Sequence, residues 1–174
     1  NQLPFLQRAL GVSGYKIVPI LFGGLRKNDF AAVAAAIAPY ADESTLVVAS
    51  SDLTHYGKGF SYTPFTRDLP ANLEKLDKGF IEPVLRRDFE RYWDYHEKTG
   101  ITACGFVPIG VMLRLLAKED VQASLADYYR SGDLNGDYSS SVSYASIVFS
   151  AGAAAAANDE SPVGLDRNEQ KLLL

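Results

Sequence analysis

The chain has 174 residues, 47% hydrophobic and 22% charged, with a formal net charge of −4. That is apolar enough for one domain with its own core. It excludes disorder throughout, and 14 glycines and one cysteine exclude a collagen-like repeat and a disulfide scaffold. The acidic balance argues against nucleic-acid binding, and no apolar run of about 18 residues is present to span a membrane. A lone cysteine suits a reducing, cytoplasmic setting.

The chain opens at Asn1-Gln2-Leu3-Pro4, with no Met and no signal peptide, and reads as a piece of a longer polypeptide. Phe5 to Leu10 suits a short helix. Tyr15 to Phe22 is a mostly apolar run ended by Gly23-Gly24 and predicts a buried strand, with Pro19 suited to an edge or a bulge. Lys27 to Tyr40 carries Phe30, Val33, Ile37 and Tyr40 at helical spacing. Thr45 to Ala49 predicts a second buried strand, running into Ser50-Ser51-Asp52. Residues 56–70 are rich in Gly, Ser, Thr, Tyr and Pro and read as a long loop.

Ala71 to Leu85 predicts a helix with Leu73, Leu76, Phe80 and Val84 on one side, its last turn disturbed by Pro83. Asp88 caps a further helix carrying Phe89, Tyr92 and Trp93. Gly105 to Lys118 is an apolar helix suited to packing on a sheet. Ser124 to Arg130 and Ser141 to Ser150 read as strands. The composition then changes. Residues 151–164 read as an Ala-rich flexible linker, and residues 165–174 as the start of a new amphipathic helix capped by Asp166. No repeat is visible.

Few residues can carry chemistry. His55 follows an apolar strand, in the region where open α/β sheets bind ligands. Asp52 stands three residues before it, and on a helical turn the two share one face. A carboxylate beside an imidazole can fix its tautomer, which suits a general base or a metal ligand. The competing reading is a turn residue beside a surface histidine. Cys104 stands at the entry to the apolar helix, where a helix N-terminus favours the thiolate and so a nucleophile or soft metal ligand. The competing reading is a small core cysteine. Gly105 beside it would let another group approach closely.

His96 shares a helical face with Phe89 and Tyr92 and reads as a packed structural histidine. Of the loop and strand-end tyrosines, Tyr56, Tyr62, Tyr128, Tyr129, Tyr138 and Tyr144, one or two could line a pocket. Gly23-Gly24 lacks the context of a nucleotide-binding loop. One His, one Cys and one Asp are a thin ligand set for a transition metal.

Ser50-Ser51-Asp52-Leu53-Thr54-His55-Tyr56-Gly57 resembles the S-S-D-x-x-H-[WY]-G signature of the Memo family, whose prokaryotic members are called AmmeMemoRadiSam system protein B. Thr102-Ala103-Cys104-Gly105, followed by Pro108-Ile109-Gly110-Val111-Met112-Leu113, resembles the family's second signature, T-x-C-G-x-x-P-I-G-V-x-L. Gln2-Leu3-Pro4-Phe5, Ile17 to Gly23 and Ser141 to Ala145 resemble further family blocks in the same order. The last ten residues look like the opening of an AMMECR-type domain, which is fused behind Memo in some bacteria.

The resemblance implies an α/β fold, the C-terminal part of a Memo domain over residues 1–150. Its central sheet would be flanked by helices, similar to class III extradiol dioxygenases, and its N-terminal part is absent from this chain. It implies a site in which His55 is the acid/base, Asp52 a second catalytic pocket acid and Cys104 a metal ligand. Two metal-binding histidines are expected upstream of residue 1. Cysteine replaces the carboxylate that the dioxygenases use, which puts ring cleavage in doubt and favours a softer metal, iron or copper. The leading expectation is a metal-dependent redox protein, with a radical-SAM protein and an AMMECR-type domain as partners, no nucleic acid and no membrane. The alternative is a non-enzymatic module that grips a peptide or partner protein in the same pocket. A hydrolytic Cys-His enzyme is a third reading, and needs Cys104 and His55 in hydrogen-bond reach.

Overall fold

The computed structural model of the protein describes residues 2–151. The expected linker at 151–164, apart from Ala151, and the expected helix at 165–174 lie outside the described residues.

The helices follow the apolar periodicity closely. α1 spans Leu3–Leu10, with Pro4 in its first turn, where a missing N–H costs nothing. α2 spans Asp29–Ile37, extended by a 3-10 turn at Ala38–Tyr40. α3 spans Leu69–Leu85 and runs through Pro83. The proline has no N–H to return to the Gly79 carbonyl, and the helix ends two residues later, where Asp88 N–H donates to the Pro83 carbonyl. α4 spans Phe89–Thr99, and the Asp88 carboxylate accepts from the Arg91 amide at 3.0 Å, the expected cap. α5 spans Phe106–Leu115, and the short α6 spans Ser131–Asn135.

Helices α2, α4 and α5 meet through aromatic rings. Phe30 lies 5.1 Å from Phe89 and 5.6 Å from Trp93, centroid to centroid, and Tyr92 stacks on Phe106 at 4.9 Å. Phe30, Phe80, Tyr92 and Leu113 are completely buried. Each such side chain contributes about 1.5–3 kcal/mol of transfer free energy.

Three antiparallel strands form the sheet, in the order β1-β3-β2. β1 is His55–Gly57, β2 is Val121–Arg130 and β3 is Ser140–Ala151. The register pairs His55 with Val142, Tyr56 with Ser141, Tyr128 with Ala145 and Tyr129 with Tyr144. Because side chains alternate, the two faces differ sharply. Thr54, Tyr56, Ser141 and Ser143 are buried on the face that α3 packs against. His55, Tyr129 and Tyr144 belong to the other.

Two expectations are corrected. Tyr15–Phe22 and Thr45–Ala49 form no strand, and the sheet is small and antiparallel. Both segments have strand composition, but a strand exists only when a neighbour completes its ladder, and none among the described residues does. Nor are they buried: Val18 is 81% and Leu21 98% exposed, and Ile17, Ile20, Leu46, Val47 and Val48 are exposed as well. Residues 56–70, read as loop, contain β1 and a 3-10 turn at Lys58–Phe60.

Candidate functional site

The site begins where the chain enters β1. Leu53 N–H donates to the Ser143 carbonyl at 2.8 Å, and Ser143 N–H donates to the Thr54 carbonyl at 2.9 Å. Two residues therefore oppose one, as in a β-bulge, a device that re-aims side chains. From the other side comes the turn before α5. Gly105 lies so close to Ser50 and Ser51 that a Cβ there would stand 2.6 Å from the Ser50 carbonyl oxygen. Gly105 N–H donates to Ser51 Oγ at 2.9 Å, and that hydroxyl donates to the Asp52 carbonyl at 2.6 Å. The Asp52 amide in turn donates to Cys104 Sγ at 3.2 Å. The two signature segments are thus stitched together by backbone groups.

As a result, Asp52, His55 and Cys104 present one donor atom each, all within 4.8 Å of one another. The sequence reading expects these three in one pocket, and the structure brings their donor atoms together. Cys104 is exposed, which sets aside the core-cysteine reading.

His55 is held in one orientation. Its Nδ1 lies 2.9 Å from the Thr102 carbonyl oxygen and 3.1 Å from that of Leu53. Both partners only accept, so Nδ1 carries the hydrogen and the neutral ring keeps its lone pair on Nε2. Nε2 faces Asp52 Oδ2 at 3.6 Å. Thr102 also brackets the backbone: its Oγ1 accepts from the His55 amide at 2.8 Å and donates to the His55 carbonyl at 3.0 Å. Phe60 stands edge-on to the ring at 5.2 Å.

The tyrosine pair Tyr129 and Tyr144 stacks at 5.0 Å across the ladder. Burial raises the pKa of both. The Asp52 carboxylate adds to this for each, after Asp127 in the case of Tyr129. Of the tyrosines singled out in the sequence, these two lie within the field of the site. His96 behaves as expected, stacking on Phe106 at 3.7 Å and far from this chemistry in role. Thr102 and Ser51 are the residues that chain order alone does not reveal as site builders. Both sit inside the two signatures, which was the available signal.

The donor set fits a metal ion. A thiol sulfur, an imidazole lone pair and a carboxylate oxygen converge, and the Nε2 lone pair points toward an anionic oxygen, an arrangement that a shared cation satisfies. The hydrogen bond a hydrolytic Cys-His pair requires is not formed. The Cys104 thiol is directed to the Asp52 carbonyl, at 4.0 Å, and His55 Nε2 faces the Asp52 carboxylate.

Comparison with known proteins bears on the same residues. The family profile described as Memo-like protein matches residues 1–148. The chain belongs to the Memo family. It is 31% identical over 147 residues to a MEMO1 family protein of Thermoplasma acidophilum, covering 84% of this chain and 50% of that one. It is 32% identical over 151 residues to a MEMO1 family protein of Methanosarcina acetivorans, covering 84% and 52%. With the memo-1 homolog of Caenorhabditis elegans it shares 34% identity over 161 residues, 84% of this chain and 45% of the relative. The chain therefore spans about half the length of the curated relatives it matches. The two segments that resemble Memo signatures are the ones that Gly105 and Ser51 hold in contact. No helix among the described residues is long and apolar enough to cross a membrane.

Proposed function

We propose that this Memo chain supplies one ligand, Cys104, and two neighbouring groups, His55 and Asp52, of a redox-metal site, iron or copper, in a protein related to the extradiol dioxygenases. The observation that carries the reading is the convergence of the Asp52, His55 and Cys104 donor atoms within 4.8 Å. Cys104 would hold the metal through its thiolate. His55, with Nδ1 tied to carbonyls, would hold or pass a proton at Nε2, and Asp52 would orient that nitrogen. The metal, when bound, supplies one-electron chemistry. Further ligands, two histidines by the family resemblance, would come from the part of the relatives that this chain does not span. An AmmeMemoRadiSam context, with a radical-SAM protein and an AMMECR-type domain as partners and a cytoplasmic setting, belongs to the same proposal.

The test is anaerobic titration with Cu(I) and Fe(II) against a competing chelator. Cys104→Ser should weaken binding at least tenfold while the thermal midpoint stays close to wild type, because the side chain is exposed. A variant that keeps its metal but loses its fold would restore the core-cysteine reading. A second reading keeps the pocket but not the redox role: a module that grips a peptide or partner protein. The exposed ring of Phe60 beside His55 favours it, since an aromatic rim next to a carboxylate suits a peptide side chain. Peptide capture that survives removal of the metal and the Cys104→Ser change would decide for it.

A further inference from the structure

Asp77 lies in the middle of α3 and is completely buried. Among the described residues its partners are donors without charge. Oδ1 accepts from Thr54 Oγ1 at 2.5 Å and from Thr54 N–H at 3.3 Å, and Oδ2 accepts from Tyr128 Oη at 2.7 Å. The Tyr128 hydroxyl is held protonated, by burial first and by the Asp77 carboxylate second, as a donor must be. Packing alone does not call for a carboxylate here, since well-packed apolar residues often replace buried charged groups without loss. What the carboxylate adds is selectivity for one residue of the neighbouring strand.

That residue is the one before His55. β1 is only three residues long, and Ser50 to Asp52 make no backbone ladder bonds among the described residues. A slip of one residue against β3 would turn His55 toward the core and Thr54 toward the site face. Only a side chain with a hydroxyl, in line with its own amide, satisfies Asp77 Oδ1, and in the segment Leu53–His55 only Thr54 offers that.

We propose that Asp77 is a positioning residue that locks Thr54 inward and thereby keeps His55 and Asp52 facing Cys104. The proposal rests on the reading of these three as the functional set, but its test needs no metal. The readout is the imidazole ¹⁵N spectrum of His55, taken where the ring is neutral, alongside the thermal midpoint. Wild type should show the single Nδ1–H tautomer that the two carbonyl contacts impose. Tyr128→Phe removes the Oδ2 partner and leaves Thr54 anchored, so it should lower the midpoint and keep the tautomer. Asp77→Asn can present its amide oxygen to Thr54 and its NH₂ to the Tyr128 oxygen, so it should keep the tautomer too.

Thr54→Val and Asp77→Leu release the anchor. In both, the His55 signals should move toward those of a mixture of tautomers. Should Asp77→Leu fail to fold, the comparison of Thr54→Val with Tyr128→Phe decides alone. A wild-type tautomer in Thr54→Val overturns the proposal, as does an equal shift in Tyr128→Phe, which would make the network a core feature with no direction toward the site. The expected tautomer pattern in a chain that binds no Cu(I) would remove the metal reading and leave the role of Asp77 standing.

Discussion

Gly105→Ala probes the contact on which the site depends. Gly105 has φ −93° and ψ 24°, which alanine adopts without backbone strain, so any effect comes from the added methyl. That Cβ would lie 2.6 Å from the Ser50 carbonyl oxygen and from Ser51 Oγ, and closer still to Ser51 Cβ. Ordinary contact begins at about 3.5 Å, so the Ser50–Ser51 segment must retreat by roughly 1 Å. The retreat breaks the 2.9 Å bond from Gly105 N–H to Ser51 Oγ. Overpacking of this kind costs about 1–3 kcal/mol.

The donor atoms now lie within 4.8 Å of one another. Metal–ligand bonds are only about 2.0–2.3 Å long, so a retreat of roughly 1 Å by the segment that carries Asp52 draws it away from a metal held by Cys104. Gly110→Ala is the control. Its Cβ would meet Phe30 Cε1 at 2.6 Å, in the core away from the site. Both variants should lose comparable stability in thermal unfolding. Only Gly105→Ala should lose Cu(I) affinity, by at least tenfold in a chelator competition. Wild-type affinity in Gly105→Ala, with the stability lost, would refute the claim that this close approach builds the site.

Thr102→Val strands the His55 amide, and should cost about 1–3 kcal/mol in thermal unfolding, with Thr102→Ser close to wild type. A silent valine variant would mean that Thr102 does not hold His55. At alkaline pH, stability should fall. Burial, with Tyr95 and Asp77 behind it, pushes Tyr62 up to about 12, and burial also raises Tyr92 and Tyr128. Unfolded tyrosines release their protons near about pH 10, so this stability is complete below that pH and is lost as pH rises toward the folded values. A denaturation midpoint that stays flat from about pH 9 to 11 would contradict it. The exposed Ile17, Val18, Ile20 and Leu21 should make the chain self-associate, and Val18→Lys with Leu21→Lys should reverse this in sedimentation. A wild-type chain monomeric at every concentration would refute that.

Elements that satisfy themselves locally were legible in the sequence. α2, α3 and α4 follow from residues such as Phe30, Phe80 and Tyr92 at helical spacing, and α5 from its apolar run, because a helix completes its own hydrogen bonds. β2 and β3 were legible because each offers the other a long antiparallel partner. Tyr15–Phe22 and Thr45–Ala49 show the opposite case. Their composition states what would fit a pleated surface, but not whether a neighbour is at hand. β1 was missed because its three residues carry no pattern and exist through pairing with Ser140–Val142. The site followed the same division. Asp52, His55 and Cys104 could be named from their chemistry. Thr102, Ser51 and Asp77 act through hydrogen bonds between distant segments, and nothing in local spacing marks them.

X-ray absorption at the metal edge addresses the central claim most directly, on the Cu(I)- or Fe(II)-loaded protein before and after Cys104→Ser. The account predicts a sulfur neighbour at about 2.3 Å in the wild type that is replaced by a lighter nitrogen or oxygen neighbour in the variant. A metal surrounded by nitrogen and oxygen alone in the wild type, or a sulfur neighbour that persists in Cys104→Ser, would contradict it.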